Sequence, residues 1–256
     1  MQHRRRSLAG GSILAFSFLL VYPLTAGVVV NSTLSLTQLS ITPGAGTLQY
    51  LPPFTATALA DAHDSLGGAD SNFDSQDDAV AGATATAFLA SANASADAPN
   101  KLATAASFIN IPDIDASAGS TGQGTLLGFF QITGTTDPVL VQISAILSGN
   151  QTLITGPGGS ARSEIIFSLI LPDIESNPLL FYDNLLEIGP NQSTANSPGQ
   201  TLSQSVTLQP DTPYFLIAQV DSESSGVNSV PEPSCAFLIA TGASLMLLRR
   251  RYNSQN

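Results

Sequence analysis

Tryptophan is absent from this 256-residue chain, cysteine occurs once and histidine twice. Each shortage removes a class of chemistry. A lone Cys235 forbids an intrachain disulfide, and with so few histidines no Cys/His zinc cluster can be assembled. A Ser-His-Asp triad needs a histidine base. His3 lies in the leader-like start, so only His63 could serve, and it sits in the polar run Asp61-Ala62-His63-Asp64. No Gly-x-Ser-x-Gly elbow accompanies it. Tyrosine is nearly as scarce, with five residues, of which Tyr22 and Tyr252 lie near the ends. A sugar-cleaving cleft and a sugar-binding module, both of which rely on stacking platforms, are therefore poorly supplied.

Positive charge is the next shortage. Only eight basic residues are present, and six form two triplets, Arg4–Arg6 and Arg249–Arg251. Between them stand Lys101 and Arg162 against all 19 acidic residues. Such a surface repels phosphate backbones, which excludes nucleic acid as a partner. It favours solubility, and divalent cations or cationic surfaces as partners. Charged residues make up only 11% of the chain, so long salt-bridged helices are not expected.

The two ends carry addresses. Residues 1–27 place Arg4–Arg6 before the apolar run Ser12–Val21, then Pro23 and the small residues Thr25, Ala26 and Gly27. That order predicts a secretory signal peptide cleaved after Ala26 or Gly27. An uncleaved anchor is the alternative, although the run is short for a membrane span.

At the other end, Pro231-Glu232-Pro233 precedes an apolar run from Cys235 to Leu248, and Arg249, Arg250 and Arg251 close it. Fourteen residues span about 21 Å as a helix, short of the roughly 30 Å hydrocarbon core. The arginines act as a membrane stop on the cytoplasmic side, leaving the preceding domain outside. The two prolines hold Glu232 in extended, non-helical backbone that a peptidase can reach. Taken together, residues 230–256 resemble the PEP-CTERM family of sorted proteins. The resemblance covers about a tenth of the chain. It implies recognition by an exosortase, removal of the tail after transient single-pass anchoring, and delivery to the cell surface or extracellular matrix of a Gram-negative bacterium that makes extracellular polysaccharide. A plain single-span anchor behind a proline-rich stalk is the alternative, and Cys235 would be a lipidation point or a small apolar residue.

Residues 28–221 read as strands. Val139–Leu147 and Leu202–Gln209 alternate apolar and polar side chains, as do Leu34–Thr37. Ser163–Leu171 is more continuously apolar, as a strand buried on both faces would be. Leu126–Thr133 and Pro213–Val220 complete the clear cases. The alanine-rich segment Ala79–Ala98 is assigned to strand on its Ala/Thr alternation, against alanine's helical preference. Gly149-Asn150-Gln151 and Gly156–Ser160 look like breaks, and Gln209–Pro213 like a hairpin loop. The expectation is an all-β chain: one β-sandwich, jelly-roll-like or immunoglobulin-like, over 28–221, with a polar stalk at 222–229.

Two constellations could carry chemistry. Asp70-Ser71-Asn72-Phe73-Asp74 opens like an EF-hand loop, which makes Asp70, Asn72 and Asp74 candidate calcium ligands, with Asp113 and Asp115 able to assist. The loop pattern then fails, because Ser75 replaces the required glycine and Ala81 the closing glutamate. Glu164, Glu175 and Glu187 could supply a glycosidase pair. Solubilising surface charge explains both sets more simply. Sequons at Asn31, Asn93, Asn150 and Asn191 are expected by chance in a chain this rich in Asn, Ser and Thr. The leading functional reading is a non-catalytic exported surface or matrix protein. A polysaccharide- or protein-binding module, with calcium as a stabiliser, is the alternative, and a secreted glycoside hydrolase stands third.

Overall fold

The computed structural model describes residues 27–112, 114–174 and 177–229. Among them are thirteen strands and no helix. Every paired strand is antiparallel, and the strands form two sheets. The first, sheet A, runs β4 (Val80–Thr86), β5 (Ala90–Asp97), β6 (Leu102–Ile111), β1 (Val28–Pro43) and β8 (Val139–Thr155). Two further strands, β11 (Ser193–Asn196) and β12 (Gly199–Leu208), share the far edge of β8. The second, sheet B, runs β3 (Ala69–Asp77), β2 (Thr47–Asp64), β7 (Ala116–Thr133), β13 (Tyr214–Asn228), β9 (Gly159–Ile170) and β10 (Leu180–Ile188). The two sheets pack face to face, the arrangement of a β-sandwich.

Alternation drives this assembly. On β8 the odd-numbered residues Val139, Val141, Ile143, Ala145 and Leu147 are buried, while Leu140, Gln142, Ile146 and Ser148 face out. On β13 the buried set is even-numbered, from Tyr214 through Val220 to Asn228. The period-two reading of Val139–Leu147 and of Leu34–Thr37 therefore separates inward from outward side chains correctly.

The core divides into two regions of different grain. Phe130, Phe167, Leu169, Ile165, Ile143 and Leu153 fill one region with large apolar side chains. The other is built from alanine: Ala56, Ala58, Ala60 and Ala62 on β2, Ala81 to Ala85 on β4, Ala90 to Ala96 on β5, and Ala103 and Ala105 on β6. There the sheets approach until backbone meets backbone. A Cβ on Gly122 of β7 would lie 2.6 Å from the Asn93 carbonyl oxygen, and one on Gly124 would lie 2.6 Å from that of Ser95. Only glycine fits both positions. A buried serine chain crosses the same interface. Ser224 reaches Ser107 at 2.7 Å and Ser107 reaches Ser222 at 2.8 Å. Ser222 then donates to the Ser32 carbonyl at 3.1 Å, which fixes the direction of the whole chain.

Several sequence expectations change here. Ala79–Ala98 forms two strands, β4 and β5, joined as a hairpin. Gly149 does not break the chain: β8 runs through it, and Gly149 pairs with Leu34. Its missing Cβ makes room for the Thr33 carbonyl, 2.6 Å from where that atom would be. Gln209–Pro213 is a passage between the sheets and not a hairpin, because β12 belongs to sheet A and β13 to sheet B. Ser163–Leu171 is buried on its inner face and half-buried on the other. The expected stalk over 222–229 is corrected as well. Ser222–Asn228 continue β13, and their small polar side chains suit the thin region, where Ser222, Ser224 and Asn228 are buried.

The two core regions should respond oppositely to volume. Gly122→Ala is expected to destabilise the domain by about 1–3 kcal/mol through overpacking, and Phe167→Ala by about 3–5 kcal/mol through a cavity. Chemical denaturation should show both as lowered midpoints with an unchanged denaturant slope.

Candidate functional site

The candidate calcium ligands lie on a strand. Asp70, Asn72 and Asp74 occupy alternate positions of β3, the edge strand of sheet B, which runs alongside β4 at the edge of sheet A. Alternate residues of a strand stand about 6.6–6.8 Å apart along its axis. A single calcium ion bound at about 2.3–2.6 Å cannot gather three such groups from an extended backbone. Among the described residues no group of three or more His, Cys, Asp or Glu side chains is close enough to hold a metal ion. Asp115 lies in the β6–β7 connection, and Asp113 falls outside the described residues.

These carboxylates have another occupation. Asp70 Oδ2 accepts the Thr86 N–H at 2.9 Å, and Asp74 Oδ2 accepts the Gly82 N–H at 3.0 Å. Both donors belong to β4, so the acids of one sheet's edge bind the backbone of the other's. Asp64, at the end of β2, accepts from Leu66 at 2.9 Å, Gly68 at 3.0 Å and Leu89 at 3.1 Å. Asp78 accepts the Phe54 N–H at 2.8 Å. Edge N–H groups that would otherwise recruit another chain are thereby capped. The Gly82 N–H, then the Gln76 amide, lower the Asp74 pKa against a smaller desolvation effect. For Asp64 desolvation is the largest single influence and acts upward, but four backbone N–H bonds together outweigh it and the pKa falls.

The residues considered for catalysis lie on the open outer face of sheet B. His63 Nδ1 is 3.5 Å from Asp61 Oδ1, two residues away on the same strand. The imidazole covers Gly119, where any Cβ would meet it at 2.6 Å. Glu164 and Glu187 both bind the Arg162 guanidinium, Glu164 through Nη2 and Glu187 at 3.4 Å from Nε. A shallow depression of about 270 Å³ adjoins them, lined by Ser160, Arg162, Glu187, Ser225 and Val227. One guanidinium shared by two carboxylates uses up the cation that could otherwise attract an anionic substrate. Glu175 lies outside the described residues, as do Pro231, Glu232, Pro233 and Arg249–Arg251. Among the described residues no helix is long and apolar enough to cross a membrane.

Sequence reasoning did not reach the division of charge between the faces. The strands of sheet A carry one charged side chain, Asp97. Those of sheet B carry ten acidic residues with Arg162 and His63. On that acidic face Asp221 is held by Gln123 at 2.8 Å and Gln219 at 2.7 Å. Burial still raises its pKa, the two amides offsetting only part of the effect. No family model, curated protein or solved structure matches this chain.

Linkage gives the two kinds of acid opposite signs. Asp64 and Asp74 contribute stability above the ordinary aspartate pKa of about 3.9, and it is lost as pH falls through their lowered values. Asp221 opposes folding increasingly as pH rises from the ordinary value through its raised one. Thermal melts between neutral and acid pH should therefore show a steeper acid loss for the parent than for Asp74→Ala. Parallel curves would refute the capping role.

Proposed function

We propose that this protein is a non-catalytic component of the cell surface or extracellular matrix, exported through residues 1–27 and sorted by an exosortase acting on residues 230–256. The single observation that carries the reading is the order of the tail: Pro231-Glu232-Pro233, then Cys235–Leu248, then Arg249–Arg251. An extended acidic motif, a span too short for durable anchoring and a basic stop describe an anchor made to be cut. The domain suits such a destination. One of its two faces is acidic, the Gly82 and Thr86 N–H groups at the edge of β4 are capped, and its fold needs no disulfide. We read the topology as jelly-roll-like rather than immunoglobulin-like, because the chain passes between the sheets seven times.

Intact mass of the protein recovered from the surface of its native host tests the proposal. A species beginning near Gly27 or Val28 and ending near Pro233 is expected. Replacing Glu232 with alanine should leave the tail attached and the protein in the membrane fraction. A mass running through Asn256 in the parent protein would overturn sorting by tail removal.

A further inference from the structure

The outer face of sheet A holds a depression of about 260 Å³ over β1, β6, β5 and the edge strand β4. Its origin is a pair of adjacent cross-strand rows. One row is Asn31, Phe108, Ser91 and Thr86, taken across β1, β6, β5 and β4. The next is Thr33, Ala106, Asn93 and Thr84. Ala106 is the short member, so the surface sinks there. Asn31, Asn93, Ser91, Thr84 and Thr86 ring the hollow, and the half-exposed Phe108 ring forms one wall. Among the described residues none of these five polar side chains has a hydrogen-bond partner. On sheet B, by contrast, the Gln123 and Gln219 amides donate to Asp221 and the Arg162 guanidinium is bound to Glu164.

We infer that this hollow binds a sugar unit of an uncharged glycan. The inference goes beyond surface delivery and does not depend on how the tail is processed. Two carboxamides and three hydroxyls both donate and accept, which matches the hydroxyls of a polyol. Phe108 offers an apolar face for the ring carbons of a sugar, and one small wall suits one small unit. The rest of the chemistry eliminates other ligands. An anionic ligand finds no cation on these strands, and a cationic one is drawn to the acids of sheet B. A peptide strand docks on a sheet edge, where it can pair with backbone; the hollow's edge-strand members, Thr84 and Thr86, stand on β4, whose edge is covered by β3, with Asp70 taking the Thr86 N–H. The hollow is open above, so a unit within a longer chain can enter from the side.

The test uses the purified full chain in a detergent without a sugar headgroup. It is titrated with neutral glucan, mannan and galactan oligosaccharides, and with alginate oligosaccharides and an unrelated soluble peptide as comparators. At least one neutral series is expected to bind, with an affinity nearly unchanged between low and high salt because no charge is involved. Phe108→Ala and the double variant N31A/N93A should each weaken that binding by about tenfold or more. Phe181→Ala, on the outer face of sheet B, should leave it unchanged. Thermal melting of each variant separates a lost site from a lost fold. Failure of every neutral series, preference for alginate or the peptide, or equal loss in Phe181→Ala would overturn the assignment. None of these outcomes bears on where the tail is cut, which the intact mass decides separately.

Discussion

The carbonyl oxygens of Asn93 and Ser95 occupy the space that side chains on Gly122 and Gly124 would need. Much else follows from that contact. Sheets usually stand about 10 Å apart, a gap that large side chains fill. Backbone-to-backbone approach closes the gap, so every neighbouring inward position must also be small. The result is the alanine lattice of β2, β4, β5 and β6, with serines where β13 crosses it. Alanine and glycine lose no side-chain entropy on burial, which offsets in part the little apolar area they remove from water. The larger hydrophobic contribution comes from the other region, around Phe130, Phe167 and Leu169. Burying hydroxyls at the thin interface is tolerable because Ser224, Ser107 and Ser222 satisfy one another in sequence and end on the Ser32 carbonyl.

The shortage of cations shapes the seams. With Lys101 and Arg162 the only basic residues in the described part of the chain, its carboxylates cannot be balanced by ion pairs. They turn instead to backbone N–H groups, which every strand edge supplies. Asp70 and Asp74 seal β3 against β4 in this way. At the opposite seam Gln151 plays the corresponding part without charge, donating from β8 to Ser163 of β9 and to the Asn184 carbonyl of β10. Sandwich edges invite further strands, and here both seams are occupied by side chains from the facing sheet.

How much of this was legible in the residues depended on range. Period-two alternation is local, so Val139–Leu147 of β8 and Leu202–Leu208 of β12 announced their two faces directly. Gly149 misled because a glycine that admits a neighbouring carbonyl looks the same in sequence as one that turns the chain. The run Asp70–Asp74 misled for a related reason: oxygens at every second residue fit both a cation loop and one face of a strand, and the contact that decides is with Gly82 and Thr86 on another sheet. Ser222–Asn228 read as a linker because small polar residues are normally solvated. Their burial follows from the closeness of the facing sheet, which no single strand encodes. The hollow around Ala106 was equally invisible, since its members come from four strands and meet only through register.

Segregation of charge then becomes a functional argument. Scattering ten acidic side chains over both sheets would serve solubility as well as gathering them on one. Gathering them leaves the strands of sheet A with Asp97 alone, at the end of β5, and leaves the hydroxyls and carboxamides around Ala106 unspent. A neutral polar face has weak long-range attraction for anything charged, and so recognises only ligands that match it hydrogen bond by hydrogen bond. The acidic face has the opposite character, repelling anionic polymers at a distance. An anionic chain is thus disfavoured near the molecule as a whole, while a neutral one can approach, and in the hollow over Ala106 such a chain meets an aromatic ring together with unpaired donors and acceptors.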